Sequence, residues 1–277
     1  MLTETKRLLC RDGIWLDRRL GQNQVIDASI LKKMIDYAEV TKNDKVLEIG
    51  AGVGNLTVML AEAAGTVTAI ERDKKLIRIL KERLKGRTNV KVLQGDALEM
   101  ELPEFNKIVS NLPFSISSRI TFKLLGLKFD IAVLMFQKEF AERLVASPGS
   151  KNYGRLTVNV YYRAKAELLD EVPPSAFFPQ PKVSSAIVRL KPRQPPFEIK
   201  DEQLFSRVVR ALFQHRNQRV RNALLHSFSE IFPKTKMTKN EIKSFIGSTL
   251  PGKFLEARVP ELTPEDLGEI TNLLTSP

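Results

Sequence analysis

Short apolar runs alternate with longer amphipathic segments over the first two thirds of the chain. The runs VLEI, TVTAI, VKVLQ, KIVS and IAVLMF are typical of buried strands. After the second run, one helical face carries Leu76, Ile77, Leu80 and Leu84. Strands that alternate with helices in this way predict a mostly parallel, Rossmann-like α/β sheet that is covered by helices on both faces.

The last third of the chain has a different pattern. SSAIVRLKP alternates as a strand and predicts a late pair of strands at the sheet edge, whereas GRLTVNVYYRAK and AELLDEV fit helix and strand equally. Pro192, Pro195 and Pro196 mark a linker. Four segments after it are predicted as helices, namely DEQLFSRVVRALFQ, RVRNALLHSFSEIF, NEIKSFI and PEDLGEITNLL. We therefore predict an α/β domain with a basic leader over residues 1–191 and a small helical domain over residues 192–277.

The chain is strongly basic, with 44 Lys and Arg against 32 Asp and Glu and a formal net charge of +12. This charge favours a nucleic acid as the partner over an anionic membrane surface. Neither a membrane span nor a signal peptide is expected from the pattern of apolar residues. The single cysteine and the two histidines predict no disulfide within the chain and no metal site. We expect a monomer in the cytoplasm.

A glycine turn, Gly50-Ala51-Gly52-Val53-Gly54, joins the first strand of the predicted sheet to a helix. Glycines here let the backbone approach a ligand where a Cβ would collide. The turn alone is also compatible with a dinucleotide or with no ligand, but its spacing is G-x-G-x-G and not the G-x-G-x-x-G of dinucleotide sites.

Carboxylates at the ends of neighbouring strands narrow the choice of ligand. Glu71 ends the second strand, where it can accept hydrogen bonds from both ribose hydroxyls of an adenosyl group. Asp96 ends the third strand, within reach of the adenine edge, and Glu48 begins the glycine turn, where it can orient the turn or face a cation. The carboxyl ends of parallel strands share one ligand-binding edge. Unless these are solvated acids, the negative rim predicts S-adenosylmethionine, a sulfonium cation, as the cofactor.

The turn Asn111-Leu112-Pro113-Phe114 follows the fourth strand. An amine conjugated to a purine is a poor nucleophile because its lone pair is delocalised. The Asn111 side-chain oxygen and the Leu112 carbonyl can accept its two hydrogens and direct the lone pair towards a methyl donor, while Pro113 fixes the turn and Phe114 stacks on the purine. An ordinary Asn-x-Pro turn looks the same in isolation. After a glycine turn and two carboxylates in register, it predicts N6 methylation of adenosine, with alignment as the main catalytic effect.

With these motifs the sequence resembles the small-subunit ribosomal RNA adenine dimethyltransferases, the KsgA family. The resemblance covers nearly the whole chain and is carried by RRLGQNQVID, VLEIGAGVGNLT, IERD, GDAL, NLPF, MFQKEFAERL, YGRLTVNV, FFPQPKVSSAIVRL and LFQHRNQRVRNAL. It implies transfer of four methyl groups, two to each of two adjacent adenosines near the 3′ end of small-subunit rRNA, during ribosome assembly.

The resemblance also implies a set of cofactor-binding residues, namely Asn23, Val25, Gly50, Glu71, Asp96 and Asn111. The first two close over the cofactor, Gly50 lies against its methionyl part, Glu71 and Asp96 hold ribose and adenine, and Asn111 meets both the cofactor and the target amine. Two positions depart from the family. GQNQV stands where relatives often have an aromatic residue and a leucine, which leaves the role of Val25 open. Phe114 replaces the commoner tyrosine, which keeps stacking and loses a hydroxyl.

A basic stretch without acidic residues lies in the predicted helical domain. It contains Arg207, Arg210, Arg216, Arg219 and Arg221. We predict that these arginines contact RNA phosphates, although a solvated helix face would have the same composition. A-form RNA is recognised mainly by shape and phosphate, so the helical domain would hold the RNA while an unstacked adenine enters the pocket at Asn111.

Three other functions share part of this pattern. A DNA adenine methyltransferase would have the same cofactor turn and an Asn-Pro turn. A nucleic-acid-binding assembly or transcription factor could keep the fold without turnover, but it would not need Glu71, Asp96 and Asn111 together. A nicotinamide dehydrogenase is disfavoured by the glycine spacing and by the lack of a histidine suited to proton relay.

Overall fold

The structure is a computed structural model, and it describes residues 1–16 and 22–274. The first part contains α1 (Leu2–Arg11), β1 (Gln24–Val25), α2 (Ala28–Tyr37), β2 (Lys45–Ile49), α3 (Asn55–Ala63), β3 (Thr66–Glu71), α4 (Lys74–Arg83), β4 (Val90–Gln94), β5 (Lys107–Asn111), α5 (Ser117–Leu124), β6 (Ile131–Gln137) and α6 (Lys138–Leu144). There follow α7 (Arg155–Arg163), β7 (Ala164–Val172), β8 (Phe177–Phe178), β9 (Ser185–Pro192), α8 (Glu202–Gln214), α9 (Val220–Ile231), α10 (Lys239–Thr249), α11 (Gly252–Glu256) and α12 (Pro264–Leu273).

The chain forms two compact units. The sheet unit comprises residues 1–142 and 164–193, and the helical unit comprises residues 143–163 and 194–277. The chain passes from the sheet unit to the helical unit for the last time after Arg193, two residues beyond the predicted domain boundary. Residues 143–163 belong to the helical unit, however, so one boundary at 191/192 does not describe the division. Within the described ranges, no helix is both long and apolar enough to cross a membrane.

The sheet unit contains a seven-stranded sheet in the order β4-β3-β2-β5-β6-β9-β7. The five strands from β4 to β6 are parallel, and β9 and β7 add antiparallel pairs at one edge. The predicted Rossmann-like sheet and its late edge strands are therefore confirmed. AELLDEV, which was ambiguous in the sequence, is part of the edge strand β7, and GRLTVNVYYR contains α7.

The strand order reverses at β2. From β2 the chain moves outward through β3 to β4 and then returns to place β5 on the other side of β2. Because crossovers between parallel strands are right-handed, α3 and α4 cover one face of the sheet and α5 covers the other. The turns after β2 and β5 leave the same edge in opposite directions, which opens a crevice for a ligand between them.

The core of the sheet unit explains why the strands have apolar sequences. Leu31, Met34, Leu60, Val109 and Val133 belong to one buried cluster that joins α2 and α3 to the sheet, and each is at most 1% exposed. Strand β6 is buried at six of its seven positions, as expected for a central strand covered on both faces.

The helical unit has a core of its own. Helix α8 buries Leu204, Phe205 and Val208 on one face and is capped by Asp201, whose carboxylate accepts a hydrogen bond from the Leu204 N–H (2.9 Å). The Tyr162 ring of α7 lies 5.3 Å from the Phe205 ring, which shows how α7 belongs to this unit. The four predicted helices of the tail are present as α8, α9, α10 and α12, whereas α11 was not predicted.

Two parts of the amino-terminal region differ from the sequence prediction. Residues 2–11, predicted only as a basic leader, form the amphipathic helix α1, which buries Thr5 and Leu9. The two-residue strands β1 and β8 pair with each other in an antiparallel arrangement, with Gln24 opposite Phe178. Arg18 and Arg19, the two arginines that open the motif RRLGQNQVID, lie outside the described residues.

A buried polar cluster joins the amino ends of β2 and β5. The Asp44 carboxylate accepts hydrogen bonds from the Thr41 backbone N–H (2.6 Å) and Asn106 Nδ2 (2.8 Å), and it lies 3.0 Å from Lys107 Nζ. Asn106 also accepts a hydrogen bond from the first backbone N–H of β2 (2.8 Å). Burial acts to raise the pKa of Asp44, but these hydrogen bonds outweigh burial and lower the pKa from 3.8 to about 2.

Replacement of Asp44 by Asn should lower the free energy of unfolding at neutral pH by roughly 2 kcal/mol, because a pKa difference of nearly two units is lost. The folded-state pKa is depressed, so this stabilisation is complete above about pH 4 and disappears as the pH falls towards 2. Urea unfolding of the protein and of D44N between pH 7 and pH 3 measures the effect. The exposed Asp36→Asn serves as the control, and a D44N difference that is independent of pH would contradict the assignment.

Candidate active site

The glycine turn after β2 adopts a backbone that requires glycine at three positions. Gly50, Gly52 and Gly54 have φ values of 78°, 60° and 86°, in the left-handed region. A Cβ at Gly50 would lie 2.9 Å from Pro113 Cδ, so the glycine turn and the Asn-Leu-Pro-Phe turn pack directly on each other. This contact at the strand-order reversal brings together the two motifs that the sequence separates by some sixty residues.

Strand β1 closes over the glycine turn. A Cβ at Gly52 would lie 2.2 Å from Gln24 Oε1, and this oxygen accepts a weak hydrogen bond from the Val53 N–H (3.3 Å). On the other side of β1, the Val25 carbonyl accepts a hydrogen bond from Asn55 Nδ2 at the start of α3 (2.8 Å). Gln24 was not among the predicted site residues, since nothing in its sequence context marks a two-residue strand.

Glu71 organises the loops around the glycine turn. Its Oε2 atom accepts a hydrogen bond from the Gly52 N–H (2.8 Å), and its Oε1 atom accepts from the Arg72 and Asp73 N–H groups (2.8 and 2.9 Å). The residue is 8% exposed and lines a cavity at the carboxyl edge of the sheet. A carboxylate with two oxygens has further acceptor positions, so its predicted bonds to ribose hydroxyls are compatible with these contacts.

Asp96 lies two residues beyond the end of β4 and faces the same cavity. Its Oδ1 atom accepts a hydrogen bond from the Leu98 N–H (2.9 Å), and its Oδ2 atom lies 3.3 Å from Arg72. The backbone hydrogen bond, followed by the nearby arginines, holds the pKa of Asp96 below its usual value. Asp96 is therefore ionised at neutral pH and contributes negative charge to the rim.

The cavity has a volume of about 230 Å³ and is lined by three of the six predicted cofactor residues. Its lining includes Gly50, Glu71, Asp96, Pro113, Gln22 and Asp73. The last two were not predicted, and Gln22 Nε2 donates a hydrogen bond to Asp73 Oδ2 (3.1 Å). Asp73 could have been noticed from the sequence, because it stands two residues after Glu71 at the start of a helix. The lining contains three acids and Arg72, so acids predominate, which suits a cationic adenosyl ligand better than a pyrophosphate.

Asn111 is the last residue of β5, and its amide has one fixed orientation. Nδ2 donates a hydrogen bond to the Asn23 carbonyl oxygen (2.8 Å), so the amide nitrogen must point towards β1. Oδ1 is consequently turned away from that carbonyl, and within the described part of the chain it is buried without a hydrogen-bond partner. The Asn23 side-chain oxygen is likewise buried and unpaired there. Buried acceptors without donors are uncommon in proteins, and a water or a ligand can supply the donors.

A second, smaller cavity of about 10 Å³ lies beneath the glycine turn. Gly50, Asn111, Val25 and Glu48 are among the residues that line it. Glu48 is 2% exposed, its Oε2 atom has no hydrogen-bond partner among the described residues, and burial raises its pKa to about 8. The Val25 side chain belongs to the apolar core and does not reach the larger cavity, so a role for Val25 in cofactor binding stays a prediction.

The remaining residues of the Asn-Leu-Pro-Phe turn differ in exposure. Leu112 is 1% exposed, and its side chain packs in the core, which leaves only its carbonyl for a role in the site. Phe114 is half-buried and lines neither cavity, so stacking of its ring on a purine also stays a prediction. A short 3-10 helix, Phe114–Ile116, follows Pro113 and leads into α5.

The five predicted RNA-binding arginines have different environments in the helical unit. Arg210 is exposed on α8, whereas Arg207 is half-buried and its Nε atom has no hydrogen-bond partner in the described ranges. Arg216 donates hydrogen bonds to the Lys151 and Ser150 carbonyls (3.0 and 3.4 Å). The side chains of Arg219 and Arg221 both pair with Glu256 and are about half exposed. The stretch 207–221 contains no acidic residue, but Glu256 from a later helix pairs with two of its arginines.

Comparison with known proteins identifies the family. The family model described as ribosomal RNA adenine dimethylase matches residues 16–249. A probable ribosomal RNA small subunit methyltransferase A of Methanothermobacter thermautotrophicus is 48% identical over 273 residues, which are 98% of this chain and 95% of the relative. A protein of the same name from Thermococcus kodakarensis is 46% identical and covers 93% of this chain and 90% of the relative.

Solved structures agree with the sequence comparisons. A dimethyladenosine transferase from Plasmodium falciparum has a TM-score of 0.76 and 33% identity, and covers 88% of this chain and 94% of that chain. The 23S rRNA methyltransferase ErmE has a TM-score of 0.65 and 28% identity, and covers 91% and 99%. The expected family resemblance is confirmed, and a nicotinamide dehydrogenase is excluded. The chain belongs to the ribosomal RNA adenine dimethylase family and is an S-adenosylmethionine-dependent methyltransferase.

Proposed function

We propose that this protein methylates the N6 amines of two adjacent adenosines near the 3′ end of small-subunit rRNA during ribosome assembly. The observation that carries this proposal is the Asn111 amide. Its nitrogen is held by the Asn23 carbonyl at 2.8 Å, and its buried oxygen is left without a donor from the described residues beside the glycine turn. An exocyclic amine supplies the missing N–H donor.

The chemistry required of the chain is mainly alignment. The reaction forms one N–C bond, breaks one S–C bond and releases one proton from the amine. Asn111 Oδ1 and the Leu112 carbonyl accept the two amine hydrogens, which turns the nitrogen lone pair towards the methyl group. Pro113 keeps both acceptors in place through its contact with Gly50. Because the electrophile is a sulfonium cation, the proton can leave after transfer and no strong base is needed.

Residues around the larger cavity hold the cofactor in this proposal. Glu71 binds the ribose hydroxyls, Asp96 binds the adenine edge, and Gly50 lies beside the methionyl part. When bound there, S-adenosylmethionine supplies an activated methyl group. Gln24 of β1 covers the glycine turn, and the neighbouring Asn23 carbonyl accepts a hydrogen bond from Asn111, so this segment lies beside both motifs.

The helical unit supplies RNA contacts in the same proposal. Arg207, Arg210, Arg216, Arg219 and Arg221 contribute positive charge to it, and phosphate contacts would give most of the affinity for the particle. A DNA substrate is not favoured, because the family is defined by ribosomal RNA methylation. A monomeric state and a cytoplasmic location stay predictions from the sequence.

Replacement of Glu71 by Ala should weaken S-adenosylmethionine binding by about ten- to a hundredfold, since charge-assisted hydrogen bonds are lost. The Gly52 N–H also loses its acceptor, so a modest fall in melting temperature is expected. Calorimetric titration of the folded variant measures the affinity. Glu99→Ala, which removes an exposed acid near the same sheet edge, is the control, and equal affinities for both variants would remove Glu71 from the site.

Replacement of Asn111 by Ala should lower methyl transfer at saturating cofactor by about 10²- to 10³-fold, because a preorganised acceptor in the transition state is deleted. The Pro113 turn stays in place, and binding to undermethylated small subunits should persist. Labelled S-adenosylmethionine and mapping of modified nucleosides measure transfer, and filter binding measures the complex. Near-normal turnover by N111A would exclude the mechanism given above.

Replacement of Arg219 and Arg221 by Gln should weaken RNA binding, and each arginine that binds a phosphate should reduce the salt slope by roughly 0.7–0.9 when it is replaced. Cofactor affinity should not change. The matched control is Lys32→Gln with Lys128→Gln, which removes the same charge from exposed positions of the sheet unit. If both double variants have the same salt slope as the unmodified protein, Arg219 and Arg221 bind no phosphate.

A further inference from the structure

Glu48 is a buried acid that the methyl-transfer mechanism above does not use. It is the fourth residue of β2 and is 2% exposed, and its Oε2 atom has no hydrogen-bond partner among the described residues. Burial of an ionised carboxylate is strongly unfavourable, so a protein keeps one only neutral or beside a cation. The charge state of Glu48 therefore depends on what lies around it.

The described groups around Glu48 come from five elements and carry no positive charge. In the smaller cavity, β1, α2, α3 and β5 present Gln24, Leu31, Asn55 and Asn111. The Thr57 hydroxyl of α3 also acts on Glu48 and lowers its pKa, but by less than burial raises it. On β3, Glu71 is the titratable group that acts on Glu48, and its like charge adds to the effect of burial. The lysines at the first positions of β2 and β5 lie at the opposite ends of those strands. The pKa of Glu48, raised by burial to about 8, therefore belongs to a neutral acid at pH 7.

Glu48 lies close to the residues that are proposed to surround the reacting centre. It lines the same small cavity as Gly50 and Asn111, the residues placed against the methionyl part of the cofactor and against the target amine. The cofactor changes charge during the reaction, because a sulfonium cation becomes a neutral thioether. A carboxyl group beside the sulfur experiences the sulfonium charge before transfer and not afterwards, whereas the α-ammonium group is the same in both forms of the cofactor.

We propose that Glu48 is a charge-sensing residue, which ionises when S-adenosylmethionine binds and is reprotonated when methyl transfer leaves S-adenosylhomocysteine. The proton count balances: binding releases one proton from Glu48, and the amine loses one proton during transfer. Reprotonation of Glu48 then consumes one proton. Glu48 can pair with the sulfonium only while the methyl donor is bound. It therefore favours binding of S-adenosylmethionine over S-adenosylhomocysteine and promotes product release.

This inference rests on the cofactor and not on the RNA substrate, and its test uses no RNA. Calorimetry of each ligand at pH 7 in phosphate and in Tris, which differ in ionisation enthalpy, gives the protons released per ligand bound. The α-amino group of each ligand also changes protonation near this pH. The same calorimetry is therefore done with Glu48→Gln, and the number of protons that this variant releases is subtracted. Glu99→Gln, an exposed acid, is the control variant.

The expected result is that the protein releases close to one proton more than E48Q on binding S-adenosylmethionine, and none more on binding S-adenosylhomocysteine. E48Q should bind S-adenosylmethionine about tenfold more weakly, with little change for S-adenosylhomocysteine. The affinity of the unmodified protein for S-adenosylmethionine should rise from pH 6 to pH 8 and then level off, because the ionised acid binds the cation.

If E48Q does not fold, infrared difference spectra of the unmodified protein can follow the protonation of the carboxyl group directly. S-adenosylmethionine should abolish a protonated carboxyl band, and S-adenosylhomocysteine should leave it in place. Equal proton release for the two ligands, or a band that responds to both alike, would overturn the proposal. Loss of RNA methylation with the proton release intact would count against the proposed substrate and not against the role of Glu48.

Discussion

The active site depends on the packing of the Gly50 backbone against the Pro113 ring. A Cβ at Gly50 would lie 2.9 Å from Pro113 Cδ, which is too close for any other residue without a shift of the turn. This contact exists because β2 and β5 are neighbours at the point where the strand order reverses. It places the cofactor turn and the Asn111 acceptor on opposite sides of one crevice, so that both can act on a single methyl group.

Unpaired acceptors are the second common feature of the site. Asn23 Oδ1, Asn111 Oδ1 and Glu48 Oε2 are all buried without donors from the described residues. Their desolvation is unfavourable in the free protein, and a ligand that brings an amine and a cation relieves it. In the proposed mechanism these groups are satisfied only by the reactants, which is the condition for catalysis by preorganisation.

The chain as a whole is positively charged, whereas the charged residues around the cavity are mainly acidic. The chain as a whole carries +12, which suits a polyanion, yet the cavity is lined by Glu71, Asp96 and Asp73. Local acids set the potential at a small cationic cofactor, whereas the total charge acts over distances near the Debye length. In the helical unit Glu256 pairs with Arg219 and Arg221, so their net contribution to a phosphate-binding surface is smaller than the sequence indicates. Phosphate can compete with this carboxylate, because both are bound by the same guanidinium geometry.

The sequence by itself determined the parallel sheet and the positions of Glu71, Asp96 and Asn111, because strand periodicity is local and parallel strands bring their carboxyl ends to one edge. Only the tertiary structure decided that Gln24 covers Gly52, that α7 belongs to the helical unit, and that Glu256 neutralises part of the arginine stretch. A two-residue strand such as β1 has no periodicity to detect, and it is defined by its pairing with β8 across some 150 residues. The burial of Glu48 is likewise a property of the five elements packed around it, since burial arises from contacts that no local pattern encodes.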